Sequence, residues 1–347
     1  MEDTGKIHQS FFEETILKQC GFSRKEVSTG PGFGVDVSVV DLPNGLAMAL
    51  TSDPLSLIPS LGLQESAWLS VQLMANDMAT TGHAPMYGQF VLNLPAHFSS
   101  DDFRMYWNYI HQFCKDIKLS ITGGHTGFIE GQNSTIAGGG TFITITPKEK
   151  ILVSKNAQSG DVILVTKQSA IISSAILAMS FPETVKNKLG KEIYEHGCNL
   201  FYQSSSLKDA LVAVEPFSEI TAMHDATEGG LLGAIYEMAV ASANGATVDN
   251  SLLPIGETQK QICQLFGIDP RYCVGAGSMI ISAKKGSEKK IIDRLQKEKI
   301  ECKIVGKFTP KENGIKLLKD GVTTDMPYFE KDPYWEAFFN AYKNGWK

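Results

Sequence analysis

The chain has 347 residues, of which 43% are hydrophobic and 20% charged, and its formal net charge is -6. A chain of this length can form two domains with separate cores, and this composition is ordinary for a globular enzyme. The negative charge and the lack of any basic block exclude a typical nucleic-acid-binding protein.

The chain shows no signal peptide and no apolar run near the roughly 18 residues that a membrane span needs. Its six cysteines have neither CxxC nor Cys/His spacing, which suits reduced thiols better than disulfides or a zinc site. We therefore expect a cytoplasmic protein that binds no membrane and no nucleic acid.

The N-terminal region predicts a short amphipathic helix near residues 10 to 20, preceded by Gly5 and Lys6. A lysine in a flexible segment could reach a phosphate. The alternative is a lysine that is simply solvated.

Two alternating apolar runs follow, and Pro43, Asn44 and Gly45 separate them. An Asn-Gly pair predicts a hairpin with a type I′ turn. If these two residues are the turn centre, Pro43 pairs with Leu46, and Asp36 then faces Asp53 across the hairpin. If Pro43 lies inside a three-residue loop, the register moves by one and the facing is lost.

Facing carboxylates repel each other, and hard cations such as Mg²⁺ prefer carboxylate oxygens. The hairpin therefore predicts a divalent-metal site formed by Asp36 and Asp53. The alternative is that both are solubilising residues at strand ends. A helical pattern from Gln64 to Thr81 places Asp77 on its last turn, where the helix dipole disfavours an anion unless positive charge is near.

The rest of the first half predicts a strand near residues 86 to 94, a helix opened by Ser99 to Asp102, and two further strands. Between those strands lies the loop Gly123-Gly124-His125-Thr126-Gly127. Backbone amides freed by glycine can form an anion nest, and His125 could donate to a phosphate or move a proton. A single loop histidine can equally be without function.

A second domain begins near SGDVILVT with a buried strand, followed by helical patterns at residues 169 to 180, 182 to 196 and 200 to 214. The stretch His224-Asp225-Ala226-Thr227-Glu228-Gly229-Gly230 then lies between a strand and a helix. His-Asp near a helix N-terminus suits acid/base work close to an anion. A structural alternative is that Thr227 caps the helix.

No GxxxxGK[ST] motif occurs. A nucleotide would therefore have to be held through metal-bridged phosphates and backbone amides rather than by a P-loop.

In order along the chain, these motifs resemble those of the aminoimidazole ribonucleotide (AIR) synthetase superfamily, and most closely its hydrogenase-maturation-factor-E-like branch. GVDVSVV is similar to the family's GDDAAVV, TSDP to its TTD, and MANDMATTGHAP to its VNDLAVMGAKP. GGHT is similar to GGDT or GGET, and HDATEGGLLGAIYEMA to HDPTRGGLATALNEIA.

This resemblance implies an α+β fold of two domains: residues 1–153 with a mixed sheet that forms a dimeric barrel with its partner, and residues 154–347 with an α/β sandwich. It implies ATP and Mg²⁺ as cofactors and a homodimer as the assembly. The metal ligands that it implies are Asp36, Asp53 and Asp77. The matching cofactor-binding candidates are Lys6, Gly34, Asn76, Gly123, Gly124, Thr126 and Thr227, and the catalytic candidates are His125, His224 and Asp225.

The chain departs from the family's motifs in three ways, and these departures limit which of the family's activities we expect. The chain ends NGWK, whereas the hydrogenase factor ends in a cysteine, so cyanide-ligand synthesis by that route is not expected. His125 replaces an acidic residue, and Glu228 replaces the arginine of the third loop. The selenophosphate branch is also not expected, because Cys20-Gly21-Phe22 lacks its second cysteine.

We therefore predict an ATP-dependent enzyme that activates an amide or similar oxygen of a small-molecule or protein-borne acceptor by phosphorylation. One alternative is a small-molecule kinase like thiamine-monophosphate kinase. The other is a non-catalytic nucleotide-binding partner in a maturation complex.

Overall fold

The structure is a computed structural model that describes residues 5 to 347. The first half contains one six-stranded sheet, whose strands are β1 (Val27–Thr29), β2 (Ser38–Asp41), β3 (Leu46–Ser56), β4 (Tyr87–Pro95), β5 (Ser120–Ile129) and β6 (Ile136–Pro147). Their order across the sheet is β1-β2-β3-β6-β4-β5. Only β4 and β5 run parallel, so the sheet is mixed.

The β2–β3 hairpin corrects the predicted register. Asn44 and Gly45 have the positive φ angles of a type I′ turn, and the Leu46 N–H donates to the Pro43 carbonyl. Proline has no N–H to return the second bond, so Leu42 donates to the Leu46 carbonyl instead. The register therefore moves by one, with Asp41 opposite Ala47. This is the alternative register, with Pro43 inside a three-residue loop, and the predicted facing of Asp36 and Asp53 is lost.

Three helical segments belong to this half: α1 (Gln9–Phe11), which continues as a π-helical turn over Phe12–Ile16, α2 (Leu63–Ala79) and α3 (Ser100–Asp116). The Ser99 side chain accepts a hydrogen bond from Asp102 N–H at 3.0 Å and caps α3, as its sequence predicts. The predicted N-terminal helix is shorter than expected, because it ends at Ile16.

The predicted glycine loop at residues 123 to 127 is instead the middle of strand β5. A Cβ at Gly124 would lie 1.8 Å from the Phe90 carbonyl oxygen of β4. Glycine is therefore required by the close approach of the two strands, and these residues form no separate nest in the chain.

The second half contains a seven-stranded sheet, whose strands are β7 (Val162–Thr166), β8 (Ile220–Asp225), β9 (Gly245–Asp249), β10 (Met279–Ala283), β11 (Cys302–Thr309), β12 (Ile315–Lys319) and β13 (Val322–Asp325). Their order is β13-β12-β9-β11-β7-β10-β8. Only β9 and β12 pair in parallel.

The helices of this half are α4 (Ile171–Ser180), α5 (Pro182–Leu189), α6 (Lys191–Asn199), α7 (Leu207–Ala213), α8 (Gly230–Ala241), α9 (Glu257–Leu265), α10 (Glu288–Lys297) and α11 (Pro333–Lys343). The single helix predicted over 182 to 196 is divided at Gly190, which has a φ of 90°. The C-terminal tail contains α11.

Helix α2 joins the two halves. Its residues Val71 and Met74 pack in the same buried cluster as Phe90 of β4 and Met223 of β8. Neighbouring residues of the second sheet point to opposite layers, since Leu164 belongs to this cluster whereas Val165 packs beneath α8. The result is a two-domain α+β fold in which the carboxyl end of α2 reaches the end of β8. The division at residues 153 and 154 stays a prediction.

Over residues 5 to 347, no helix is both long and apolar enough to span a bilayer.

Candidate functional site

Four aspartates from different elements converge at the junction of the two sheets. Asp36 precedes β2, Asp53 lies on β3, Asp77 lies on the last turn of α2, and Asp225 ends β8. The pKa of Asp77 is raised well above its usual value, because of burial and because of the charges of the other three. The four carboxyl groups therefore share one electrostatic environment.

The centre of the site is formed by Asp36, His224 and Asp225. One ligating atom from each lies within 4.8 Å of the others. Asp36 Oδ2 is 2.7 Å from His224 Nδ1, and the Ser154 hydroxyl donates to the same oxygen at 3.3 Å. The first domain thus supplies one carboxylate, and the second domain supplies its partners.

His224 is 2% exposed and lies between two carboxylates. Its Nε2 is 3.2 Å from Glu237 Oε2, and Nδ1 contacts Asp36. Burial alone would lower the pKa of His224, but Asp36 and Glu237 together raise it well above its usual value. Both ring nitrogens thus face carboxylate oxygens, an arrangement that favours the protonated ring.

Asp225 is also 2% exposed. Among residues 5 to 347, neither of its carboxyl oxygens has a hydrogen-bond partner. Burial and the Asp36 charge raise the pKa of Asp225 to about 7, against the opposing effects of His224 and Lys6. Because a buried carboxyl without partners is costly, this group is suited to receive a cation.

Asp53 and Asp77 complete the acidic wall. Thr51 donates to Asp77 Oδ2 at 2.7 Å. Burial raises the pKa of Asp53 to about 6, with Glu228 adding to the shift and Lys6 opposing it. A cation bound here would favour the ionised form of both groups.

Lys6 supplies the positive charge that this wall faces. Its Nζ donates to Thr227 Oγ1 at 3.2 Å and lies 3.9 Å from Glu237 Oε2. Thr227 therefore does not cap α8, whose N-cap is Gly229. The Lys6 side chain is 51% exposed, so water screens part of its charge.

Segments from both ends of the chain border the site. Glu228 accepts hydrogen bonds from the Lys6 N–H at 3.0 Å and from Trp335 Nε1 at 3.1 Å. Asp332 Oδ2 accepts from the Gly229 N–H at 2.7 Å, and Tyr328 donates to Glu237 at 3.1 Å. These contacts border a cavity of about 270 Å³ that is partly open to solvent and that Phe33, Gly34 and Asp36 also line.

Gly34 is required by a close approach. Its φ is 69°, and a Cβ there would lie 2.5 Å from the carbonyl oxygen of Glu237. Glycine thus allows the loop that bears Asp36 to lie directly against α8.

Several predicted residues lie apart from this centre. Strand β5 contains Gly123, Gly124, His125 and Thr126. Two strands, β6 and β4, separate it from Asp53 on β3, because Asp53 pairs with Gly140, Gly140 with Phe90, and Phe90 with Gly124. At about 4.8 Å per strand, that is roughly 14 Å. Within one chain, the structure therefore does not bring His125 to the carboxylates.

Asn76 is fully buried in the domain junction. Its amide nitrogen donates to the Ser204 carbonyl at 2.8 Å, and its oxygen accepts from the Ser206 N–H at 2.7 Å. Both ends of the amide already hold α2 to the second domain.

Glu237, Tyr328, Asp332 and Trp335 were not among the predicted site residues. Glu237 could have been found, because it interrupts an otherwise apolar buried face of α8 that includes Ile235 and Met238. The three C-terminal residues carried no such signal, since an aromatic and acidic tail is compatible with many surfaces.

The donor set fits a hard divalent cation. Asp36 and Asp225 offer carboxylate oxygens within 4.8 Å of each other, and both oxygens of Asp225 are free of hydrogen bonds within the described part of the chain. Asp53 and Asp77 add negative charge to the same environment. Oxygen donors are the ligands that Mg²⁺ prefers.

Comparison with known proteins gives two family matches. The N-terminal domain of the AIR synthase related proteins matches residues 34–145, and their C-terminal domain matches residues 158–318. A putative hydrogenase expression/formation protein of Methanocaldococcus jannaschii is 26% identical over 95% of this chain and 96% of its own length.

Solved structures share the fold. HypE in its complex with HypF has a TM-score of 0.73 at 19% identity, covering 92% of this chain and 100% of that one. HypE in complex with ATP has a TM-score of 0.69 at 18% identity, covering 95% and 97%. AaThiL complexed with AMPPCP and TMP has a TM-score of 0.70 at 15% identity, covering 92% and 97%. With the two family matches in consecutive halves, the chain belongs to the AIR synthase related family.

Proposed function

We propose that this protein is an ATP-dependent enzyme that binds Mg²⁺ and ATP at the four-aspartate site and phosphorylates an oxygen of an acceptor. The observation that carries the proposal is the buried Asp225 carboxyl, which has no hydrogen-bond partner among the described residues and lies against Asp36. A divalent cation held by these carboxylates would supply the missing partner and would bind the phosphates of a nucleotide.

The comparisons support a nucleotide at this fold, because HypE with ATP and AaThiL with AMPPCP both resemble the chain along most of its length. In our assignment, Asp36, Asp53, Asp77 and Asp225 hold the metal. When bound, the metal neutralises charge that develops on the phosphoryl oxygens.

The remaining polar residues orient these groups. His224 holds the Asp36 carboxylate in place by donating to it while Glu237 anchors the other ring nitrogen. Since both nitrogens are engaged, we assign His224 to positioning and charge balance rather than to proton abstraction. Lys6 Nζ faces the cavity and would contact a phosphate oxygen.

The chemistry is a phosphoryl transfer. A bond forms between the acceptor oxygen and the γ-phosphorus while the bond from that phosphorus to the bridging oxygen breaks, and ADP leaves with its electron pair. For an amide acceptor, the phosphorylated oxygen then leaves as inorganic phosphate in one of two ways. In an elimination, the nitrogen releases its two protons to water and a nitrile forms; in a displacement, a nucleophile takes the place of the departing oxygen on the carbon. The acceptor class is a small molecule or a protein-borne amide.

The test of nucleotide binding is calorimetric titration with a non-hydrolysable ATP analogue, with and without Mg²⁺. We expect micromolar binding that requires the metal. No binding under either condition would refute the proposal.

A kinase is the second candidate, because the chain shares its fold with ThiL, a thiamine monophosphate kinase. Phosphorus NMR of the products separates the two reactions. A phosphorylated acceptor as final product identifies a kinase, and free phosphate identifies the synthetase-type reaction.

A non-catalytic role in a maturation complex is the third candidate, which the HypE–HypF complex supports by analogy of fold. It predicts that ATP binds without turnover in the presence of every acceptor tested.

We also propose a homodimer formed through the first sheet. Its face opposite α2 and α3 carries exposed apolar residues, with Tyr87 38%, Val91 42% and Ile145 37% exposed. Such an unpartnered apolar face is typical of an interface. Light scattering after size exclusion should give a dimer mass, and Val91→Lys should give a monomer.

A further inference from the structure

The outer wall of the cavity is formed by both ends of the described chain. Residues 5 to 12, the N-terminal segment, contribute Lys6, Ile7 and Phe12 to the lining. Residues 328 to 335, the C-terminal segment, contribute Tyr328 and Asp332. The C-terminal segment lies beyond the part of the chain that matches the family, which ends at residue 318.

One carboxylate joins the two segments. Glu228 Oε2 accepts the backbone N–H of Lys6 at 3.0 Å, and Glu228 Oε1 accepts the indole N–H of Trp335 at 3.1 Å. Each oxygen thus holds one segment. Gly5 fits between them, because a Cβ there would lie 3.2 Å from Glu228 Oε2 and 3.4 Å from the Trp335 ring.

Other contacts align each segment with the same turn. Asp332 Oδ2 accepts the N–H of Gly229, the residue after Glu228. The Lys6 Nζ donates to Thr227, the residue before Glu228. An ion pair between His8 and Glu330 links the segments a second time. Residues 227 to 229 are therefore the point where both segments are attached.

The two segments border a cavity of about 270 Å³ that is partly open to solvent. Because they form part of its rim, their positions decide how closely a ligand can approach the carboxylates.

We propose that Glu228 is a positioning residue that fastens the N-terminal and C-terminal segments to each other, so that loosening one segment also loosens the other. Glu228 holds the backbone of Lys6 and thereby sets where the Lys6 ammonium points. This role explains why position 228 carries an acidic residue, although a carboxylate there would repel a phosphate. The two oxygens of Glu228 already bind donors from the two segments.

The test is hydrogen–deuterium exchange of the full chain without ligand, comparing wild type with Trp335→Phe and Glu228→Gln. Trp335→Phe removes the indole N–H and leaves the Glu228 contact with Lys6 formally intact. Trp346→Phe is the matched control, since Trp346 packs on Phe181 and Phe266 away from the cavity.

If the segments move together, Trp335→Phe will speed exchange in peptides covering residues 6 to 12, by roughly tenfold for the loss of a hydrogen bond to a charged group. Glu228→Gln will speed exchange in both segments, because an amide can accept at only one of its two ends. Trp346→Phe will leave residues 6 to 12 unchanged. Faster exchange only at residues 328 to 335 in Trp335→Phe would overturn the proposal.

A second measurement tests whether the fastening of the two segments also slows the entry of a nucleotide. It rests on the proposed function. Stopped-flow binding of a fluorescent non-hydrolysable ATP analogue with Mg²⁺ should show faster association in Trp335→Phe than in Trp346→Phe. If the association rate is unchanged although exchange in the two segments is coupled, the fastening does not control ligand entry. If the wild type binds no nucleotide at all, the proposed function fails, whereas the exchange experiment still decides the fastening.

Discussion

Asp36 and His224 are 188 positions apart in the chain, yet Asp36 Oδ2 lies 2.7 Å from His224 Nδ1. The contact joins the loop before β2 to the end of β8, so neither domain contains the site alone. Because His224 is also bonded to Glu237, the position of Asp36 depends on the packing of α8. We expect metal affinity to be sensitive to substitutions in the second domain.

Asp53→Asn should abolish Mg²⁺-dependent nucleotide binding and leave the fold intact. The amide keeps the shape of the carboxyl but cannot supply the charge that a hard cation selects. Calorimetry with the non-hydrolysable analogue measures the affinity, and circular dichroism checks the fold. Binding equal to that of the wild type would remove Asp53 from the metal site.

Asp225→Asn should stabilise the ligand-free protein at pH 8 by about 1 kcal/mol while it weakens Mg²⁺–nucleotide binding. The substitution removes a buried charge that lacks hydrogen-bond partners, although the lost attraction to His224 and Lys6 offsets part of the gain. Urea unfolding measures the change.

The control for this variant is Asp293→Asn, at an exposed position of α10, which should alter neither quantity. A destabilised Asp225→Asn protein at pH 8 would contradict our description of the buried carboxyl.

Mg²⁺–nucleotide affinity should rise between pH 5 and pH 8 by at least roughly tenfold, since protons compete with the metal for its ligands. The pKa of Asp53 is raised to about 6 and that of Asp225 to about 7, so both carry a proton at pH 5. A pH-independent affinity across this range would contradict the assignment of these two ligands.

The stability of the ligand-free protein should change in the opposite direction. A carboxyl whose folded-state pKa is raised binds more protons when folded, so its contribution is lost as pH rises from about 4 to about 7. The raised pKa of His224 likewise lowers the stability as pH rises, but over a higher pH range. Thermal unfolding with and without Mg²⁺ and nucleotide separates the two effects.

Asn76→Ala should lower the free energy of unfolding by roughly 2–4 kcal/mol, because it leaves the Ser204 carbonyl and the Ser206 N–H without the partners they have in the junction. Asn313→Ala, at an exposed position, is the control. If Asn76 serves only the junction, nucleotide affinity of the folded variant will stay close to that of the wild type. A large loss of affinity with little loss of stability would instead support the predicted role in nucleotide binding.

Local sequence patterns were sufficient to predict the helices and strands whose stabilising contacts are local. The Ser99 cap and the apolar stripe predict α3, and the buried run at residues 162 to 166 predicts β7, because these features need only neighbours in the chain. The family motifs likewise identified the fold. The hairpin at Asn44 shows the limit, since one missing N–H on Pro43 was enough to move the register.

The sequence by itself determined the class of fold, the family, and the set of acidic residues from which a metal site can be built, because these follow from periodicity and short motifs. Only the tertiary structure decided which residues meet: it brings His224 and Asp225 to Asp36, leaves His125 on a distant edge strand, and places Glu237 and Trp335 at the site. These choices depend on how two sheets and the terminal segments pack, and such long-range contacts leave no periodic trace in the chain.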